Sequence, residues 1–115
     1  MTIENFYAVT GGDYADTKSR LLTDERILRF VSKFPADESF PLLKSSLEKG
    51  NAQEAFRAAH TLKGVAANLG FTSLFKISSE VTEVLRGGSL AVESLFPELE
   101  RIYTLIIESV KDLQA

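Results

Sequence analysis

The chain has 115 residues, 44% hydrophobic and 25% charged, an ordinary globular composition for one domain around one apolar core. A net charge of −3 argues against nucleic acid as the main partner, and the lack of cysteine excludes disulfides, thiolate catalysis and Cys-based metal sites. A single histidine excludes a His-rich metal site, and no apolar run approaches the roughly 20 residues that span a bilayer.

Helical spacing dominates from the start, and alternating strand patterns are absent. "TIENFYAV" reads as a short amphipathic turn or two, stopped by Gly11-Gly12. Asp13 caps a brief helix through Leu22, and Thr23 caps the next, with Asp24 and Glu25 at the positive end of its dipole. Ile27, Leu28, Val31 and Phe34 fall on one stripe of that helix, which Pro35 ends or kinks. Asp37 or Ser39 restarts it, Pro41 being tolerated near a first turn, with Leu42, Leu43 and Leu47 inward and Gly50 at the left-handed C′ position.

Asn51 and Glu54 make a capping-box-like start to a helix that Gly70 closes. Thr72 caps a further helix to Arg86, and Gly87-Gly88 turn the chain. The last segment, from about Ser89 to Leu113, turns Leu95, Leu99, Ile102, Leu105, Ile106 and Val110 inward, and Pro97 bends it or marks its first turn. Short connections make neighbouring long helices run antiparallel. The expected fold is therefore all-α: an antiparallel up-and-down four-helix bundle, a single domain over residues 1–115, with short N-terminal helices covering one end. The four helices are the broken arm from Thr23 to Gly50 and the three long helices after it.

The N-terminus lacks the basic region and long apolar run of a signal peptide, so a cytoplasmic protein is expected. The start at Met1 and the helical closure of the chain favour a free-standing protein.

"AFRAAHTLKGVAANLGF" holds the only histidine, His60. At about 100° per residue, Ala55, Ala59, Leu62, Ala66 and Leu69 gather on the core side, and His60 lies roughly 150° from their centre. Gln53, Arg57, Lys63, Gly64 and Ala67 share its side. A core histidine is the bland expectation for a lone imidazole, but here aliphatic residues fill the core positions. An incidental surface histidine leaves its neighbours unexplained. Gly64 stands mid-helix, where glycine costs about 1 kcal/mol relative to alanine, and it removes a side chain that would crowd the ring. Lys63, at i+3, brings an ammonium alongside. Neutral imidazole attacks phosphorus near neutral pH, a cation offsets phosphoryl charge, and a glycine admits a bulky partner. The combination points to phosphoryl transfer.

"AAHTLKGVAANLGFTSL" resembles the signature of histidine-containing phosphotransfer (HPt) domains of multistep phosphorelays. "GGDY", the "RF…KFPAD…LLKSSLEKGNAQEAFRAAH" approach and "VTEVLRGG" extend the resemblance to the bacterial branch of that family over nearly the whole chain. The resemblance implies an antiparallel four-helix bundle and no kinase or ATPase activity of its own; no cofactor or metal is expected. It implies that His60 carries the phosphoryl group on Nε2, that Lys63 stabilises it and that Gly64 gives clearance. The implied partners are response-regulator receiver domains and a hybrid histidine kinase. Charge and the lack of an apolar span argue against nucleic acid and membrane, and a monomer is expected because one docking face must stay open.

Pro35 and Pro41 depart from the single long helix that often precedes the motif. Many members also place a glutamine on the following helix to hydrogen-bond the imidazole. A hairpin turning near Gly70 sets His60 opposite positions 80 to 82, where Thr82 stands. Thr82, or Ser78 one turn earlier, is therefore a candidate for orienting the ring, unless both hydroxyls bond their own helix carbonyls. Phe56, Arg57, Ala67 and Phe71 are candidates for partner binding, Phe56 having core packing as its competing role. Lys76 and Arg86 fit a solvated face. Glu4, Asp13, Asp16, Asp24 and Glu25 are helix-start charges, not a metal site. A helical adaptor, or a pseudo-HPt module that binds a receiver without chemistry, is the alternative; the intact H-x-x-K-G tells against the latter.

Overall fold

The computed structural model describes residues 1–114. These form seven α-helices: α1 (Ile3–Thr10), α2 (Tyr14–Leu21), α3 (Asp24–Lys33), α4 (Ser39–Glu48), α5 (Ala52–Leu69), α6 (Thr72–Arg86) and α7 (Phe96–Gln114). A 3₁₀ turn over Phe34–Ala36 separates α3 from α4 at Pro35. The chain is all-α, with no strand among the described residues.

Local chemistry sets the boundaries. The side chains of Asp13 and Thr23 accept from the backbone N–H of Asp16 (3.0 Å) and Arg26 (3.2 Å), capping α2 and α3. At α5 the Glu54 N–H donates to Asn51 Oδ1 at 3.0 Å, while the Asn51 amide and the Ser46 hydroxyl both donate to the Glu54 carboxylate. That box ties the start of the helix to α4. Pro41 falls in the first turn of α4 and Pro97 in that of α7, where a missing N–H is harmless. α6 starts differently from expectation: Phe71 occupies the flanking position without a side-chain cap, and Thr72 is already helical.

α5 buries Ala55, Ala58, Ala59, Leu62, Ala66 and Leu69, and packs most extensively against α4 and α6. Its alanines let both neighbours approach closely. α7 closes the core against α1, α3 and α6 with Leu99, Ile102, Ile106 and Val110. A run of aromatic contacts links the N-terminal segment to the other helices: Phe6 to Phe71 (5.8 Å between centroids), Phe71 to Phe34 (5.2 Å), Phe34 to Tyr103 (5.7 Å), Tyr103 to Phe40 (4.0 Å). Each such pair adds roughly 0.5–1.5 kcal/mol beyond the area it buries.

Two expected core leucines are exposed. Leu28 is adjacent to the Ile27–Val31 stripe but off it, and Leu42 lies beside the Phe40–Leu43 face of α4; their exposures are 38% and 43%. Leu105 is half-buried.

Candidate functional site

His60 stands on the outer face of α5 and is exposed, as are Arg57, Gly64 and Ala67; Phe56 and Lys63 are half-exposed. Helical geometry explains the grouping: residues at i−4, i−3, i+3, i+4 and i+7 lie on one side of an α-helix. The Phe56 ring meets the imidazole edge-to-face, with centroids 6.0 Å apart and planes at 76°. From α6, the Arg86 guanidinium lies over the other part of this contact, 5.1 Å from the Phe56 centroid, and pairs with Glu83 at 3.2 Å.

Gly64 lies in open space. A Cβ built there would meet nothing within 4 Å outside its own helix backbone, so packing within the chain does not require a glycine. Lys63 makes no ion pair among the described residues, and neither does Arg57. The imidazole therefore has aromatic surface towards the N-terminal end of α5, and Lys63 and an uncrowded stretch of helix follow it towards the C-terminal end.

Three expected site residues lie elsewhere. Ser78 and Thr82 are fully buried, and each hydroxyl donates to the carbonyl four residues back, Leu74 and Ser78 respectively, at 2.6 Å. Among the described residues neither is hydrogen-bonded to His60, so these hydroxyls satisfy their own helix instead of orienting the ring. Phe71 is also fully buried. Gly70 reverses the chain with φ +73°, and the Phe71 ring turns inward against Phe6, Tyr7 and Phe34, leaving no surface for a partner.

Arg86 enters the site although its sequence suits a solvated face. The hairpin arithmetic that sets His60 opposite positions 80 to 82 also sets Phe56 opposite 85 or 86, so the signal was present. Arg20 comes close as well. Its guanidinium donates to the Asn68 carbonyl at 2.9 Å and the Ala67 carbonyl at 3.4 Å, two turns beyond His60.

Three of the acidic residues near the N-terminus, Asp13, Asp16 and Asp24, have structural partners. Asp16 pairs with Arg20 at 3.0 Å. Asp24 accepts from the Tyr14 hydroxyl and from Lys18, which together hold its carboxyl below the usual range. No group of three or more His, Asp or Glu side chains among the described residues is placed to hold a metal. No described helix is long and apolar enough to cross a membrane.

Residues 35–114 match the family model of the Hpt domain. Over 99 aligned residues the chain is 29% identical to the chemotaxis protein CheA of Bacillus subtilis (strain 168), an alignment that covers 79% of this chain. The chain corresponds to only 13% of that relative's length. No solved structure matches.

Proposed function

The chain belongs to the Hpt domain family, and on that premise we propose that His60 is the residue through which this histidine phosphotransfer module carries a phosphoryl group. The donor is the phosphoaspartate of one receiver domain and the acceptor is the aspartate of another, with a hybrid histidine kinase upstream. The lone pair of imidazole Nε2 attacks phosphorus, the N–P bond forms as the acyl O–P bond breaks, and the aspartate carboxylate leaves with the bonding electrons. Lys63 offsets charge on the phosphoryl oxygens during transfer, and Gly64 leaves room for the receiver. The chain acts as a monomeric phosphocarrier, one module over residues 1–115, with no kinase activity of its own.

The observation that carries this reading is the pairing of an exposed imidazole with a mid-helix glycine that no internal packing requires. Helix stability disfavours Gly64, so its place beside His60 needs a reason outside the chain, and an incoming group supplies one.

The test is to mix the protein with a phosphorylated receiver domain and look for acid-labile, alkali-stable label on the chain. His60→Gln should abolish the label and leave the helical circular-dichroism signal unchanged. Label that persists without His60 refutes the assignment. Receiver binding with no label at all would favour a non-catalytic adaptor.

A further inference from the structure

His60 needs a fixed ring to present one nitrogen in line with phosphorus, yet the buried hydroxyls of Ser78 and Thr82 are committed to their own helix. The geometry points to Phe56 as the positioning residue for the imidazole, backed by Arg86 from α6. This inference rests on the proposed phosphotransfer role of His60.

Side chains on an α-helix lean towards its N-terminus, over the turn that precedes them. The imidazole of His60 accordingly leans over the turn that carries Phe56 at i−4, and the two rings meet edge-to-face at 6.0 Å. Phe56 is itself held. It packs against the core cluster, and the Arg86 guanidinium sits 5.1 Å from its centroid while Glu83 anchors that guanidinium. Two packed helices thus fix a ring against which the imidazole rests.

The other flank is empty. A side chain at position 64 would lean back towards His60, and Gly64 supplies none. Contact on one side and space on the other make the setting directional: the phosphoryl group approaches from the Gly64–Ala67 side, with Phe56 as the back wall. Phe56 therefore acts through His60 rather than on the phosphoryl group.

A docking anchor for the receiver is the competing role, and a small donor separates the two. Phosphoramidate phosphorylates imidazole directly: its P–N bond breaks, ammonia leaves with the electron pair and takes up a proton, and the ring N–P bond forms. It needs no docking surface. If Phe56 positions the ring, Phe56→Ala frees the imidazole among its staggered rotamers and slows labelling by phosphoramidate by about threefold, and labelling by a phosphorylated receiver at least as much. Phe56→Tyr, which keeps the ring, restores the rate. Arg86→Ala gives a smaller loss in the same direction without touching α5. The His60 side-chain coupling constants, measured by NMR, should change from those of one rotamer to averaged values in Phe56→Ala. Wild-type labelling of Phe56→Ala by phosphoramidate, or a loss seen only with the receiver, would overturn the positioning role alone. Failure of the wild-type chain to take label from either donor would overturn the phosphotransfer reading, and this inference with it.

Discussion

The Tyr7 hydroxyl donates a 2.6 Å hydrogen bond to the backbone carbonyl of Leu69, 62 residues away, at the C-terminal end of the helix that carries His60. The last carbonyls of a helix have no partner within it. Here the N-terminal segment supplies several: Tyr7 and Thr17 reach Leu69, Arg20 reaches Ala67 and Asn68, and the Asp13 N–H donates to Gly70 at 2.9 Å. Residues 1–34 lie outside the family match, yet they finish the end of the site helix.

Tyr7 makes this contact pH-sensitive. Burial pushes its pKa up to about 12, against a smaller opposing effect of the Thr17 hydrogen bond and the Arg20 charge. The neutral phenol is the folded form, and the unfolded chain loses that proton near pH 10. The contribution is therefore complete below about pH 10 and is lost as pH rises towards about 12. Urea unfolding at a series of alkaline pH values should show stability falling across that window. Tyr7→Phe should cost roughly 1–2 kcal/mol at pH 7 and flatten the alkaline slope. Some slope remains, because burial also raises the Tyr103 pKa. An unchanged slope in Tyr7→Phe would discount the contact.

Gly70 is the tightest point of the same junction. Its φ is +73°, and a Cβ there would lie 1.8 Å from Thr17 Oγ1 and 3.2 Å from the Asp13 carbonyl. The left-handed conformation alone costs a non-glycine residue about 1–2 kcal/mol, and the overlap adds to it. Gly70→Ala should lower stability by about 3 kcal/mol in urea titrations. Thr17→Ala in the same chain should recover the overlap with Oγ1, leaving the conformational part and the tighter contacts with the residue-17 Cβ and the Asp13 carbonyl, so the two substitutions are non-additive. Strict additivity would place the cost in the backbone alone.

Features set by near neighbours in sequence were the most legible. The caps at Asp13, Thr23 and Asn51 are hydrogen bonds across three residues, and the glycine stops at Gly50 and Gly70 follow from positive φ. The solvent side of α5 followed from angular spacing alone, which is why His60 falls outside as its wheel requires. What failed depended on tertiary context. Spacing turns both members of each adjacent pair inward, Ile27 with Leu28 and Leu42 with Leu43, but the neighbouring helices take only Ile27 and Leu43. A wheel also ends at the residue that reverses the chain, so it misjudged Phe71, just past Gly70. Hairpin arithmetic carries no depth for Thr82: it is on α6's buried side, and Arg86 is the α6 residue that reaches the site's aromatic ring. The capping of α5 by Tyr7 and Arg20 had no sequence signal, since neither spacing nor motif joins positions so far apart.

Lys63 is half-exposed and free of ion pairs among the described residues, so its charge is available to a group arriving at His60. Replacing it should leave the fold within about 0.5 kcal/mol of wild type, as for most surface positions. Lys63→Ala should slow phosphoryl transfer from a receiver by roughly tenfold to a hundredfold, at the foot of the range of about 10²–10³ for a lost buried donor, because this ammonium is partly solvated. Lys63→Arg should retain most of the rate. Rapid-quench measurement of label on His60 distinguishes these outcomes; equal rates in all three proteins would remove Lys63 from the site.

Gly64 should separate stability from transfer most sharply, because its substitution moves the two in opposite directions. Glycine inside a helix is about 1 kcal/mol less favourable than alanine, and a Cβ at this position meets nothing within 4 Å. Gly64→Ala should therefore raise the unfolding free energy by about 1 kcal/mol, and the melting temperature by roughly 4 °C. The added methyl leans towards His60 and occupies the flank left open for the phosphoryl group. Transfer from a receiver should slow by about tenfold, since small misplacements of reacting groups are costly, and Gly64→Val should slow it further. Both quantities come from one preparation, by urea unfolding and by initial rates. A more stable variant with an undiminished rate would show that the open flank is not the path of the phosphoryl group, whereas a less stable one would mean that an unseen contact occupies the space beside Gly64.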